Sequence, residues 1–285
     1  MGKYINPFTD LGFKRIFGQE ISKPLLIDFL NNLLVDELKI VDLTFLNKEL
    51  PSENFEDRSL IYDIYCQIES GEYIIVEMQN QSQAYFKNRS LFYASKALAI
   101  QGRRGSLWRY DIKAVYLIAF LNFKLTDISN EFRTDVVLMN MKSKELFSDK
   151  LRLIYLQLPL FKKEAEECIT DFERWIYVLK NMETLQRFPM EFKSAVFQKL
   201  ASITDFSSLS PDEQDQYDES LKKFRDTIAV LSYAQDEGHA KGLAEGRAEG
   251  RAAMLDTVRK LKQRGMDNKT IAEITNIPEE EIVSI

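Results

Sequence analysis

The chain has 285 residues, 45% of them hydrophobic and 29% charged, with a formal net charge of −6. That is enough for one large domain or two ordinary soluble ones with a real core. Two distant cysteines without a C-x-x-C pattern, Cys66 and Cys168, argue for a reducing compartment and against a zinc knuckle. The single histidine, His239, argues against Ser-His-Asp hydrolysis, histidine zinc sites and histidine-dependent nucleases.

An enzyme of this composition works with carboxylates and a hard metal. The acidic balance is mildly unfavourable for a phosphate-backbone partner, although a local basic patch suffices for one. No apolar run reaches membrane-spanning length, and MGKYINPFTD has neither the basic flank nor the apolar segment of a signal peptide. The expectation is a cytoplasmic protein with no membrane contact.

Asn6-Pro7 is turn chemistry, and Thr9-Asp10 is a helix-start signal before Leu11–Phe17, which Gly18 ends. Ser22 as a cap and Pro24 in the first turn predict a second helix with an apolar stripe of Leu25, Leu26, Phe29, Leu30, Leu33 and Leu34. Leu38–Leu46 reads as a strand and KELPSEN as a loop. Strands are predicted near Leu60–Ile68 and Glu72–Gln79, and a helix over Ala84–Gln101, broken by Gly102-Arg-Arg-Gly105. Ala114–Phe123 is a nearly continuous apolar run of the central-strand type, and two further strands fall around Asp135–Met141 and Leu151–Leu158.

The order helix, three strands, helix, strand predicts an α/β or α+β domain over residues 1–160. Helices follow over Ile169–Leu185, Met190–Ser202 and Pro211–Asp236, a helical region spanning 161–236. Residues 237–285 hold glycines at 238, 242, 246 and 250 and then two short helices broken at Asn276–Pro278. The glycine repeat reads either as a weakened tether or as a small-residue helix face that admits a partner helix. Glu279, Glu280 and Glu281 would repel phosphates, so this tail reads as an interaction or assembly device, with self-association through the C-terminal helices.

The hairpin SLIYDIYCQIESGEYIIVEMQ holds the chemistry. Alternation puts Tyr62, Ile64, Cys66, Ile68, Ile74, Val76 and Met78 on one core face, and Asp63, Glu77 and Gln79 on the other. A three-residue loop, Glu69-Ser70-Gly71, with Gly71 left-handed, sets Asp63 across from Glu77. Like charges so placed repel unless a cation lies between them, which suggests Mg²⁺. The alternative is the ordinary solvated face of an antiparallel pair. A second cluster, Arg103, Arg104, Arg109 and Lys113 with Trp108 and Tyr110, suits a DNA backbone or plain solvation.

Asp63, thirteen intervening residues and then Glu77-Met78-Gln79 at a strand end resembles the PD-(D/E)XK nuclease signature. With TDLGFKRIFG, VEMQNQ, KNRSLFYASKALAIQG, YDIKAVYLIAFLNF and the AEG-type tail, the chain is similar to the PD-(D/E)XK nuclease family transposases, or recombination-promoting nucleases. The resemblance implies a restriction-endonuclease-like core and a Mg²⁺- or Mn²⁺-dependent DNA endonuclease. In it Asp63 and Glu77 bind the metal, and Gln79 stands at the lysine position. The substitution removes a positive charge that helps activate water. Asp10 matches the acid at the head of the opening motif, either completing the site or capping its helix, the reading favoured from sequence. Arg89 and Tyr93, four apart on one helix face, are implied to look toward the site, with Arg89 reaching a phosphate. The competing function is a non-catalytic nuclease-fold module that binds DNA or protein.

Overall fold

The computed structural model describes residues 2–50, 60–83, 85–102, 109–125 and 129–285. Packing separates them into two compact units, Met1–Asp226 and Thr227–Ile285. Among the described residues no helix is long and apolar enough to cross a membrane.

The first unit opens with α1 (Asp10–Phe17) and α2 (Lys23–Leu33). All six residues of the predicted stripe in and after α2 are buried, each such side chain being worth about 1.5–3 kcal/mol against exposure. Then come β1 (Leu43–Phe45), a two-stranded ribbon of β2 (Glu49–Leu50) with β3 (Leu60–Ile61), and the hairpin β4 (Ile64–Ile68) and β5 (Tyr73–Gln79). The helix α3 (Phe86–Ala99) leads to β6 (Val115–Leu121), and β7 (Arg133–Met139) and β8 (Leu146–Gln157) complete the strands. Among the described residues, six strands form one mixed sheet in the order β1-β4-β5-β6-β8-β7. The pairs β5-β6 and β6-β8 are parallel and the others antiparallel.

β6 is buried along its whole length between β5 and β8, as its unbroken apolar run predicted. One sheet face packs under α1, α2, α4 (Asp171–Asn181) and α5 (Ala195–Thr204), where Phe17, Phe29, Phe120 and Trp175 meet. The other face packs under α3 through Phe86, Ala94 and Ala97. The fold is thus the α/β domain expected from the element order, and its mixed sheet between two helical layers is consistent with the restriction-endonuclease-like core that the resemblance implies.

Local departures from the sequence reading have local causes. The strand expected from Leu38 begins only at Leu43. The Asn31 side chain holds both backbone groups of Ile40 at 2.8 Å, and the Glu69 carboxylate accepts from the N–H groups of Val41 and Asp42, so side chains replace a ladder there. Glu49–Leu50, read as loop, is β2. The helix expected from Met190 starts at Ala195, where the Ser194 hydroxyl accepts from the Phe197 N–H.

The helix predicted to end near Asp236 is α6 (Pro211–Gln263), which continues through the glycine repeat into the second unit. In that unit α7 (Asn268–Thr275) and α8 (Glu279–Val283) pack on the end of α6 through Val258, Ile271 and Ile282. Asn276, at φ 56°, ends α7 in the left-handed conformation.

Candidate active site

The hairpin register sets the site. Ile64 lies opposite Val76, Tyr65 opposite Ile75, Cys66 opposite Ile74 and Gln67 opposite Tyr73. The connection is the three-residue loop Glu69-Ser70-Gly71, closed by Ile68 N–H to the Glu72 carbonyl at 3.0 Å, with Gly71 at φ +101°. One further step brings Asp63 to Glu77, the pairing the alternation demanded.

The ladder does not continue through that step. In regular pairing Met78 N–H would find the Tyr62 carbonyl, since alternate residue pairs exchange the bonds. Instead the Asp63 carboxylate accepts from Met78 N–H at 2.8 Å, and Tyr62 N–H turns to the Lys48 carbonyl at 3.0 Å. A side chain has taken the place of a main-chain acceptor, and β4 ends there. Past the break, Tyr62 packs with Tyr65 and Tyr93 under α3 rather than on the face of Ile64 and Cys66. Simple alternation had put it on that face. The polar set is accordingly no solvated surface: Glu77 is 3% exposed and Gln79 8%.

Glu77 is held loosely for a buried carboxylate. Asp63 N–H donates to Oε1 at 3.3 Å, Gln79 Nε2 donates to Oε2 at 3.5 Å, and Arg89 lies 3.7 Å from Oε2. Each contact is at the long end of a hydrogen bond or ion pair. Burial, with the Asp63 charge added, pushes the Glu77 carboxyl up to about 8. Burial raises Asp63 as well, against the pull of the Met78 N–H; Asp10 raises it further, while Lys14 and Arg89 lower it.

On α3, Arg89 lies over the rings of Phe86 and Tyr93, 5.7 and 5.4 Å from their centroids, and donates to Gln83 at 3.0 Å. Tyr93 receives the Tyr62 hydroxyl on its carbonyl at 3.1 Å. The face of α3 carrying these two residues therefore does look onto Glu77.

Asp10 does not cap its helix, which corrects the reading favoured from sequence. Thr9 is the cap, accepting from Gly12 N–H at 3.0 Å, because its hydroxyl sits one position earlier, outside the first turn. Asp10 is the first helical residue and pairs with Lys14 Nζ at 2.7 Å. Both line a pocket of about 470 Å³ with Asp63, Tyr62, Asn47 and Lys48. Asn80, directly after β5, donates to the Phe8 carbonyl at 2.8 Å and so ties the approach to α1 to the strand that carries Glu77.

Of the basic cluster, Lys113 is not part of this arrangement. Lys113 precedes β6 by two residues, whereas Glu77 pairs with Ala119, six residues further on, about 20 Å along the strand. Lys113 is exposed and packs its stem on Gly71, at the other end of the hairpin, and Arg109 is exposed. Arg103, Arg104 and Trp108 lie outside the described residues.

Sequence reasoning passed over Lys14, Tyr62 and Asn80. Lys14 had a signal, its spacing of four from Asp10. Tyr62 was hidden by the ladder break, and nothing local marks Asn80.

The model of the PD-(D/E)XK nuclease family transposases matches residues 7–234, from before α1 into α6. The chain belongs to that family. No curated protein and no solved structure matched in the corresponding searches. PD-(D/E)XK nucleases generally use divalent metal ions, and the residues present fit one. Asp63 and Glu77 offer hard oxygen donors, and the three long contacts of Glu77 leave its charge under-compensated. Among the described residues no group of three acidic, His or Cys side chains forms a metal cage. Two protein carboxylates with the remaining positions left to water are the pattern Mg²⁺ favours.

Proposed function

We propose that the chain is a divalent-metal-dependent DNA endonuclease, in which Asp63 and Glu77 hold the ion, Mg²⁺ or Mn²⁺. The observation that carries this reading is the buried, loosely contacted Glu77 carboxylate beside Asp63 at the end of β5. A bound ion lowers the pKa of a water and neutralises charge on a phosphodiester. The chain's own residues do the rest. The Asp63 carboxylate is fixed to β5 by the Met78 N–H, and the Asp63 N–H reaches Glu77 Oε1, so the two acids lie together while the long contacts of Glu77 leave its oxygens open to the ion. Gln79 orients the Glu77 carboxylate through Nε2. Arg89, stiffened by its stacking on Tyr93, stands as a fixed cation beside the acids, where the negative phosphate is received.

In the hydrolysis a water oxygen forms the new bond to phosphorus and the P–O3′ bond breaks. The products are a 5′-phosphate and a 3′-hydroxyl, with the remaining water proton released to solvent. The matching family is one of transposases, and a role in promoting recombination is part of the proposal, as are residues 237–285 as an interaction or assembly segment.

One observation favours a module that binds DNA or protein without cutting it: neutral Gln79 stands where the signature has lysine, and Arg89 already supplies Glu77 with some counter-charge. Nicking of supercoiled DNA in Mg²⁺ or Mn²⁺ by the full chain separates the two. Cleavage lost in both Asp63→Asn and Glu77→Gln supports the endonuclease. Cleavage that is absent, or unchanged in both variants, overturns it.

A further inference from the structure

The family's signature brings a positive charge to the scissile phosphate through a lysine on the strand, and Gln79 does not provide it. Arg89 is committed on the Glu77 side: it faces Oε2, donates to Gln83 and is sandwiched over two rings. The Asp63 side is served by a different element. Lys14 leaves α1 one turn after Asp10, pairs with it at 2.7 Å, and lines the same pocket as Asp63.

An ion pair spaced i,i+4 is by itself an ordinary surface device. The pocket makes the difference here. It is an open pocket of about 470 Å³ that brings the pair beside Asp63. Its lining sets three carboxylates, Asp10, Glu49 and Asp63, against the ammoniums of Lys14 and Lys48. A divalent ion held by Asp63 and Glu77 would cancel those two carboxylates and leave Asp10 and Glu49 matched by Lys14 and Lys48, so that a phosphodiester would meet no net negative charge.

The approach of α1 is also fixed, not incidental. Thr9 caps the helix, Asn80 binds the Phe8 carbonyl, and a Cβ on Gly12 would come within 2.1 Å of the Asn6 carbonyl oxygen. Only glycine at 12 allows α1 to begin so close to the preceding turn, and that start sets the face on which Asp10 and Lys14 lie.

We propose that Lys14 is the phosphate-contacting cation on the Asp63 side of this site, replacing from α1 the strand lysine that Gln79 does not supply, with Asp10 as its positioning residue. This rests on the endonuclease reading, and the test separates the two. The full chain is assayed for nicking in Mg²⁺ or Mn²⁺, and for binding to a short DNA duplex over a range of salt in Ca²⁺, a divalent ion that fills the site with looser geometry than Mg²⁺.

Lys14→Gln is expected to lower kcat about 10²-fold, as loss of one preorganised charge does. It should also reduce the slope of log K against log salt by about 0.9, one phosphate contact. Lys14→Arg restores the slope, and Asp10→Asn lowers kcat while leaving the slope in place. A Lys14→Gln protein with wild-type slope and kcat overturns the inference, while loss of nicking in Asp63→Asn leaves the endonuclease reading standing. Wild-type protein that never nicks, but loses slope in Lys14→Gln, overturns the endonuclease reading and keeps Lys14 as a phosphate contact.

Discussion

Replacing Glu77 by glutamine tests the metal reading without any cleavage assay. In the metal-free protein the Glu77 carboxyl stands at about 8 instead of 4.5. The unfolded chain therefore gives up this proton near pH 4.5 and the folded chain near pH 8. Between those values the folded state binds the extra proton, so stability falls as pH rises and the loss is complete above about pH 8. At about 1.4 kcal/mol per pH unit the full loss is on the order of 5 kcal/mol, part of it shared with Asp63.

Glutamine keeps an oxygen for the Asp63 N–H and carries no charge, so Glu77→Gln escapes the loss. Urea unfolding in EDTA between about pH 5 and pH 8.5 should give a variant whose advantage over wild type grows with pH to several kcal/mol. Saturating Mg²⁺ should then stabilise wild type by about 3 kcal/mol at a hundred times Kd, and the variant far less. Parallel pH curves for the two proteins, or equal stabilisation of both by Mg²⁺, would refute the account of Glu77.

Asp63→Ala leaves the Met78 N–H without its acceptor and should cost about 1–3 kcal/mol in urea unfolding. Asp63→Asn keeps an acceptor and should cost less, which makes it the cleaner catalytic variant. Gln79→Lys puts an ammonium beside Glu77 and should flatten the pH dependence above while raising the nicking rate; no change in either measurement counts against Gln79 as the lysine position. Gly71→Ala forces a side chain into φ +101° with its Cβ 3.0 Å from Lys113 Cε, and should destabilise the protein by about 1–2 kcal/mol, read from the urea midpoint. Glycines 238, 242, 246 and 250 have open space around them. Each replaced by alanine should therefore raise the helical signal in circular dichroism, with up to about 1 kcal/mol gained per site.

The sheet was legible because its strands announce themselves. Val115–Leu121 is apolar on both faces and proved buried on both, and Gly71 with the pattern on either side of it dictated the register that aligns Asp63 with Glu77. What escaped notice depends on side chains substituting for backbone. Asn31 and Glu69 shorten β1, and Asp63 ends β4, because each satisfies main-chain groups that a propensity argument assigns to a neighbouring strand.

Asp10 was misread by one position. Threonine and aspartate are both good caps, and only the backbone conformation at Thr9 decides between them. The glycine repeat read two ways because its spacing describes a helix face while its composition weakens one. α6 runs through it unbroken.

The bond from Met78 N–H to the Asp63 carboxylate gives that acid a second occupation. It terminates a strand, releases Tyr62 to the other layer and lets Leu60–Ile61 peel away to a separate ribbon. A relative of this chain that does not cut would still be under pressure to keep an aspartate there, simply to fold. Glu77 has no such second employment, since its contacts are long and its charge is a burden without a cation. Among sequences built on this plan, the informative position for separating working enzymes from retired ones is therefore 77, and persistence of the acid at 63 says little.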